Sequence, residues 1–180
     1  KTVLYVPTYR ESDTTEKFEM DYQRVISAFE KRYRENWIML IRIHPKMREK
    51  AREIVPKTEK IVDVSLYPDI QELMVVADAL ITDYSSAVFD FILTYKPGFI
   101  YAINEQRYDI ERGLYYPLTA TPFTVARNNE ELERNIINFD AEEYSNRVTR
   151  FLQEKGSVDD GKASERTVRL IQTLLRRLGE

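Results

Sequence analysis

The feature that most constrains the fold of this chain is the alternation of short apolar runs with longer stretches of helical periodicity. Five runs are typical of buried strands: residues 3–6, 37–43, 61–64, 79–82 and 99–102. A strand that is followed by a helix and then by another strand favours a right-handed crossover in a parallel sheet. The sequence therefore predicts an α/β fold, a Rossmann-like three-layer sandwich with a mainly parallel sheet.

The predicted helices lie between and after these strands. Apolar side chains recur at three- and four-residue spacing over residues 15–33, 88–93, 130–139, 142–154 and 164–178. Asp69 and Glu72 have the spacing of a capping box, so a further helix should begin there. Residues 48–55 allow a short helix, and the Pro/Thr-rich residues 116–125 are predicted to be a long connection.

Length and composition limit the organisation and the chemistry. With 180 residues and 43% apolar content, the chain suits a single domain over residues 1–180. A net charge of -3 with mixed signs excludes a polybasic nucleic-acid binder and an acidic disordered tail. The absence of cysteine excludes disulfides, zinc–thiolate sites and a cysteine nucleophile, and a single histidine excludes a histidine-rich metal cluster.

The beginning of the chain suggests a longer parent protein. Lys1 leads directly into a strand-like run, without an initiator Met or a signal peptide. No stretch approaches the roughly 20 apolar residues that span a bilayer. We therefore expect a segment of a longer, two-domain enzyme in which part of the active site lies elsewhere.

Polar clusters follow four of the predicted strands, at residues 8–10, 44–46, 83–86 and 104–107. In open parallel sheets, ligands bind beyond the carboxyl ends of the strands. These clusters are therefore the candidate binding site.

The turn Asp83-Tyr84-Ser85-Ser86 has the character of a phosphate cradle. It lies between a strand and a helix start, where backbone N–H groups and hydroxyls can bind an anion. The same residues also suit a simpler role, in which a serine caps the helix and Asp83 fixes the turn. The chain has no glycine-rich nucleotide loop, so a nucleotide would be held differently from the Walker and dinucleotide families.

His44, Arg10 and Arg42 are weaker candidates. His44 precedes Pro45, which favours an extended or turn conformation at the end of a strand, but a single histidine is often structural. Either arginine could bind a phosphate or simply lie on the surface. Arg112 and Gly113 belong to an aromatic-rich loop that either shapes a pocket or covers the sheet edge.

Six motifs occur in an order that carries a family resemblance. They are Leu4-Tyr5-Val6-Pro7-Thr8-Tyr9-Arg10, Arg42-Ile43-His44-Pro45, Thr82-Asp83-Tyr84-Ser85-Ser86 with Phe89-Asp90-Phe91, Lys96-Pro97, Arg112-Gly113-Leu114-Tyr115-Tyr116 and Asp160-Gly161-Lys162-Ala163-Ser164. This set, which covers nearly the whole chain, resembles the CDP-glycerol glycerophosphotransferases that prime and polymerise teichoic acids. The resemblance implies the C-terminal, donor-binding half of a GT-B-type transferase.

The resemblance also implies an activity and its partners. A hydroxyl of a polyol-phosphate polymer or lipid-linked acceptor would attack the β-phosphorus of CDP-glycerol or CDP-ribitol and release CMP. This chemistry would take place at the cytoplasmic face of the membrane, without nucleic acid. A second histidine, in an N-terminal domain, would be the general base, so the isolated domain should turn over little or no substrate. A requirement for Mg²⁺ stays open.

The residues implied in this site fall into three groups. They are His44 as the catalytic residue; Pro7, Thr8, Arg10, Asp83, Ser85 and Ser86 around the donor diphosphate and nucleotide; and Arg42, Glu105, Arg112 and Gly113 as further pocket residues. Asp83 would orient its loop, or else assist at a metal ion or a polyol hydroxyl. Two other interpretations remain: the UDP- or GDP-sugar half of another GT-B glycosyltransferase or epimerase, and a non-catalytic interaction domain.

Overall fold

The computed structural model describes residues 1–8, 20–47, 51, 55–103, 113–114 and 116–178. Within them, six strands form one sheet: β1 Thr2–Val6, β2 Ile38–Ile41, β3 Ile61–Asp63, β4 Ala79–Thr82, β5 Gly98–Tyr101 and β6 Thr124–Ala126. Their order across the sheet is β3-β2-β1-β4-β5-β6, and every neighbouring pair is parallel. The predicted α/β Rossmann-like architecture is confirmed.

Among the described residues, six α-helices connect and follow the strands. They are α1 Tyr22–Tyr33, α2 Ile70–Val76, α3 Ala87–Phe91, α4 Asn129–Ile137, α5 Ala141–Glu154 and α6 Ala163–Leu178. Short 3₁₀ turns occupy Pro45–Met47, Ile92–Thr94 and Leu118–Ala120. The predicted positions of these helices are confirmed to within a few residues, apart from residues 15–19 and most of 48–55, which lie outside the described residues.

Acidic side chains fix where several helices begin. Asp21, Asp69 and Asp140 each accept a hydrogen bond from a backbone N–H in the first turn of α1, α2 and α5, at 2.7–3.0 Å. Such caps satisfy backbone donors that have no partner inside the helix. At α2 the predicted start is confirmed. Glu72, the other member of the predicted capping box, instead accepts a hydrogen bond from the Tyr67 hydroxyl.

The prediction for residues 116–125 is wrong in one respect, because this segment leads into a strand. Residues Thr124–Ala126 form β6, and Tyr101 of β5 is in register with Ala126. The strand has only three residues and follows a Pro/Thr-rich stretch, so its own sequence carries little periodicity. Pairing with β5 defines it.

The order of the strands reverses between β1 and β4. From β1 the chain first builds outward through β2 and β3, and it then returns to add β4 on the other side of β1. Val6 and Thr82 are in register at the ends of these two strands, and the Thr82 hydroxyl donates to the Val6 carbonyl at 2.6 Å. Reversal points of this kind open a crevice at the carboxyl ends of the strands.

The centre of the sheet is buried on both faces. Every residue of β4 and β5 is buried, and Ala79, Leu80 and Ile81 are fully inaccessible. Burying a leucine or isoleucine side chain contributes about 1.5–3 kcal/mol. The ends of β1 and β4 therefore extend from the rigid middle of the molecule.

Helix α6 differs from the other long helices because none of its residues is buried. Its apolar stripe of Val168, Ile171, Leu174, Leu175 and Leu178 is 47–83% exposed. The opposite face carries Arg166, Arg169, Arg176 and Arg177. The predicted amphipathic helix is confirmed, but its apolar stripe is not covered.

Gly98, the first residue of β5, lies where the core leaves little room for a side chain. A Cβ on Gly98 would lie 3.0 Å from the Phe123 ring and 3.2 Å from the Tyr144 hydroxyl oxygen. We expect Gly98→Ala to lower the free energy of unfolding by about 1–3 kcal/mol, because well-packed cores resist added volume. Urea denaturation of both proteins measures the loss.

A double-mutant cycle identifies the neighbour that is responsible. In a Phe123→Leu background, the added methyl group should cost less than it does beside phenylalanine. Equal costs in the two backgrounds would show that Phe123 is not the obstacle.

Tyr22 should make stability fall at alkaline pH. Its side chain is buried against the core, and this burial, with a smaller contribution from Tyr101, raises its pKa to about 12. An unfolded tyrosine titrates near pH 10, so the unfolded state loses its proton first and stability declines as the pH rises from about 10 through about 12. Urea unfolding over this range should show a shallower decline for Tyr22→Phe. Tyr95→Phe, at an exposed position, is the control, and an unchanged decline in Tyr22→Phe would contradict the assignment.

Candidate functional site

A cleft of about 740 Å³ lies at the carboxyl ends of the central strands, where the strand order reverses. Eight of the residues proposed from sequence line it: Pro7, Thr8, Arg42, His44, Asp83, Ser85, Ser86 and Gly113. Arg10, Glu105 and Arg112 lie outside the described residues. The sheet thus brings together side chains from the ends of β1, β2 and β4.

Asp83 joins the ends of β1 and β4. Its Oδ1 atom accepts hydrogen bonds from the Thr8 backbone N–H at 2.8 Å, from the Thr8 hydroxyl and from the Tyr84 backbone N–H at 2.7 Å. The residue is only 8% exposed. A buried carboxylate needs such donors, and the carboxylate in turn holds the Thr8 backbone beside the turn after β4.

Ser85 and Ser86 have different surroundings at the start of α3. The Ser85 hydroxyl accepts a hydrogen bond from the Ala87 N–H at 3.3 Å, as a helix cap does. Ser86 is exposed at the N-cap position, and its side chain makes no capping hydrogen bond. Both serines line the cleft. Capping therefore engages one serine, while the hydroxyl of the other is available to a ligand.

His44 lies on the exposed rim of the cleft. Its Nδ1 atom accepts a hydrogen bond from the Lys46 backbone N–H at 3.3 Å, and its carbonyl accepts one from the Met47 N–H at 2.8 Å. A ring nitrogen that accepts carries no proton, so the proton of the neutral ring is on Nε2. In this geometry Nε2 is the donor atom of the His44 ring, on the rim of the cleft.

Arg42 is buried and interacts with the protein itself. One guanidinium nitrogen, Nη1, donates to the Tyr67 carbonyl, and the neighbouring Ile43 N–H donates to the Ser65 hydroxyl at 3.0 Å. These contacts hold the loop that leads into α2, whose first residue, Ile70, lines the cleft. Arg42 therefore supports one wall of the cleft. In the same loop, the hydrogen bond from the Tyr67 hydroxyl to Glu72 raises the pKa of Tyr67.

The cleft is also lined by the aromatic side chains of Phe89 and Tyr116, which pack with Phe151 and Lys155 behind them. The rings of Phe89 and Phe151 stack at 5.9 Å, and Tyr116 meets Phe89 edge-on at 6.3 Å. The Lys155 ammonium group lies 4.2 Å from the centre of the Tyr116 ring. Such a surface can hold the flat, apolar part of a ligand beside the polar end of the cleft.

Several lining residues were not found from the sequence. Ile70, Phe89, Leu118 and Thr121 line the cleft, but in sequence they read only as helix or connection residues. Phe89 carried the best available signal, because it lies in the first turn of the helix that follows Ser86. Within the described ranges, no group of three or more Asp, Glu or His side chains could hold a metal ion.

Comparison with known proteins gives this cleft a family context. The model of the CDP-glycerol:poly(glycerophosphate) glycerophosphotransferase family matches residues 1–173. The teichoic acid ribitol-phosphate primase of Bacillus spizizenii is 30% identical over 97% of the chain, and the teichoic acid glycerol-phosphate transferase of Staphylococcus aureus is 30% identical over 95%. These matches span 44% and 45% of the two relatives, so the chain covers less than half of their length.

Solved structures agree with the sequence comparisons. The wall teichoic acid polymerase TagF superposes with a TM-score of 0.74 and 28% identity, over 100% of this chain and 44% of that chain. A UDP co-structure of MnaA from S. aureus has a TM-score of 0.50 at 20% identity, which is a likeness of fold alone. Because the family model extends over nearly all of its residues, this chain belongs to the CDP-glycerol:poly(glycerophosphate) glycerophosphotransferase family.

Proposed function

We propose that this chain is the donor-binding domain of a longer, two-domain GT-B-type transferase that uses CDP-glycerol or CDP-ribitol. The observation that carries the proposal is the meeting of His44, Ser85 and Ser86 at one cleft, at the reversal point of the sheet, in a chain of this family. Relatives named for glycerol phosphate and for ribitol phosphate are similarly close. The proposal therefore leaves the polyol open.

The proposed reaction is transfer of a polyol phosphate. A terminal hydroxyl of a teichoic-acid-type acceptor attacks the phosphorus that carries the polyol, and a new P–O bond forms. The bond from that phosphorus to the oxygen bridging to CMP breaks, CMP leaves with the bridging oxygen, and a base takes the proton of the attacking hydroxyl. Catalysis of such a transfer rests on positioning and on stabilising charge at the phosphate oxygens.

The described residues suit binding and charge stabilisation. The exposed Ser86 hydroxyl and the His44 Nε2–H group are donors that a diphosphate can accept from. Asp83, which accepts from Thr8 and Tyr84, suits the role of holding the turn. The base is proposed to belong to the missing domain, so the chain alone should bind donor and show little or no turnover.

Calorimetric titration tests donor binding. We expect the chain to bind CDP-glycerol, CDP-ribitol and CDP more tightly than UDP or GDP. Ser86→Ala and His44→Ala should each weaken binding of the preferred ligand up to about tenfold, because each removes one donor to a phosphate. Ser85→Ala should weaken it less if the Ser85 hydroxyl serves mainly as a cap. Ser164→Ala, at an exposed serine of α6, is the matched control.

Each other outcome of this titration has a definite meaning. Preference for UDP or GDP would favour a different GT-B enzyme half. A folded chain that binds no nucleotide would favour a non-catalytic interaction domain, or a donor site that needs the other domain. The same titration on a polypeptide containing both domains separates these two.

We also propose that the enzyme works peripherally at the cytoplasmic face of the membrane and that α6 contributes to membrane contact. No helix among the described residues is long and apolar enough to cross a bilayer. Helix α6 instead combines an exposed apolar stripe with four arginines and one glutamate, in a chain whose net charge is -3. An amphipathic helix with a basic polar face fits an anionic lipid surface.

Co-sedimentation with vesicles tests this contact. The chain should bind vesicles that contain phosphatidylglycerol and should not bind pure phosphatidylcholine, since both charge and apolar burial contribute. Replacing Ile171 and Leu175 by serine should abolish binding, while replacing Gln172 and Thr173 by serine should not. Absence of binding, or light scattering that shows a dimer formed through this face, would contradict the proposal.

A further inference from the structure

We propose that Thr8 binds a hydroxyl group of the donor and not its diphosphate. This inference rests on the proposed function, because it assigns a role inside the same cleft. Thr8 is half-buried, lines the cleft and follows directly after β1 and Pro7. Which ligand groups Thr8 can bind depends on whether the hydrogen of its hydroxyl is already used in a hydrogen bond.

The direction of the hydrogen bond between Thr8 and Asp83 follows from the neighbouring contacts. The backbone N–H groups of Thr8 and Tyr84 both donate to Asp83 Oδ1, at 2.8 and 2.7 Å. That oxygen therefore acts as an acceptor. The Thr8 hydroxyl, which is bonded to the same atom, must be the donor.

A threonine hydroxyl has a single hydrogen, so this contact leaves Thr8 with lone pairs only. Phosphate oxygens are also acceptors, and two acceptors cannot form a hydrogen bond with each other. A ligand hydroxyl does not meet this obstacle, because it can donate to Thr8 Oγ1.

The donor offers such hydroxyls in two places. The polyol carries them at one end of the diphosphate, and the ribose carries them at the other. Both present the same chemistry to Thr8. In either case Thr8 lies beside one end of the diphosphate, and the phosphates themselves lie toward the donor groups of Ser86 and His44.

Two variants and three ligands test the assignment. Thr8→Val keeps the shape of the side chain and removes the hydroxyl, while Thr8→Ser keeps the hydroxyl. Calorimetry would compare CDP-glycerol, CDP and 2′,3′-dideoxy-CDP, which has the diphosphate without ribose hydroxyls. Circular dichroism melting of each variant confirms that it is folded.

The expected result is a loss of affinity that depends on the hydroxyl groups of the ligand. Thr8→Val should weaken binding of the ligand that carries the recognised hydroxyl about five- to tenfold and leave the affinity for dideoxy-CDP unchanged. Thr8→Ser should bind that ligand as the wild type does. A loss for CDP-glycerol alone assigns the polyol, and a loss for both CDP-glycerol and CDP assigns the ribose. If Thr8 had only a structural role, Thr8→Val would weaken the binding of all three ligands equally.

Two results overturn the inference. In one, Thr8→Val weakens the binding of all three ligands equally. In the other, it weakens the binding of none of them. Wild-type preference for UDP or GDP would instead refute the proposed function, and the matching dideoxynucleotide would then decide the role of Thr8. A polypeptide containing both domains that binds no nucleotide overturns both.

Discussion

The site depends on the contact of a single carboxylate oxygen with both strands at the reversal point of the sheet. Parallel pairing brings Val6 and Thr82 into register, and the next residues along each chain then diverge. Asp83 Oδ1 holds them together by accepting from the Thr8 and Tyr84 backbones and from the Thr8 hydroxyl. Without this contact, two backbone N–H groups in a largely buried region would lose their partner, which costs about 1–3 kcal/mol for each such group. The positions of Thr8 and of the serine turn are thus linked.

This arrangement explains how a negative side chain can lie in a cleft that we propose for a diphosphate. Three donors contact one oxygen of Asp83, and the residue is nearly buried, so hydrogen bonds within the protein satisfy this oxygen. The donors proposed to meet phosphate, Ser86 and His44, belong to other positions of the rim. Arg42 acts similarly from β2, where its guanidinium supports the loop before α2. Asp83 and Arg42 thus support the walls of the cleft.

The sequence predicted the parts of the fold that local chemistry determines. Continuous apolar runs located five strands, and Asp69 marked the start of α2, because burial on both faces and capping each leave a signal within a few residues. Strand β6 was missed because its three residues are defined by pairing with a distant strand. At the site, strand ends identified the polar residues, but Ile70, Phe89, Leu118 and Thr121 reach the cleft only through tertiary packing. The contacts of Asp83 with Thr8 and of Arg42 with Tyr67 are equally non-local. Residue type alone therefore could not show whether these side chains support the protein or contact a ligand.

The distribution of protons among the described groups of His44, Thr8 and Asp83 agrees with the proposal that the base belongs to another domain. Transfer to an acceptor hydroxyl needs a group that takes up the hydroxyl proton. The Nδ1 atom of His44 accepts a hydrogen bond from the Lys46 N–H, so the proton of the neutral ring is on Nε2 and the ring is a donor on that side. Asp83 Oδ1 already accepts from three donors, and the Thr8 hydroxyl donates to it. In the proposed reaction these groups suit binding of the donor and stabilisation of the leaving CMP better than removal of a proton, and the base that we propose on another domain would take up that proton.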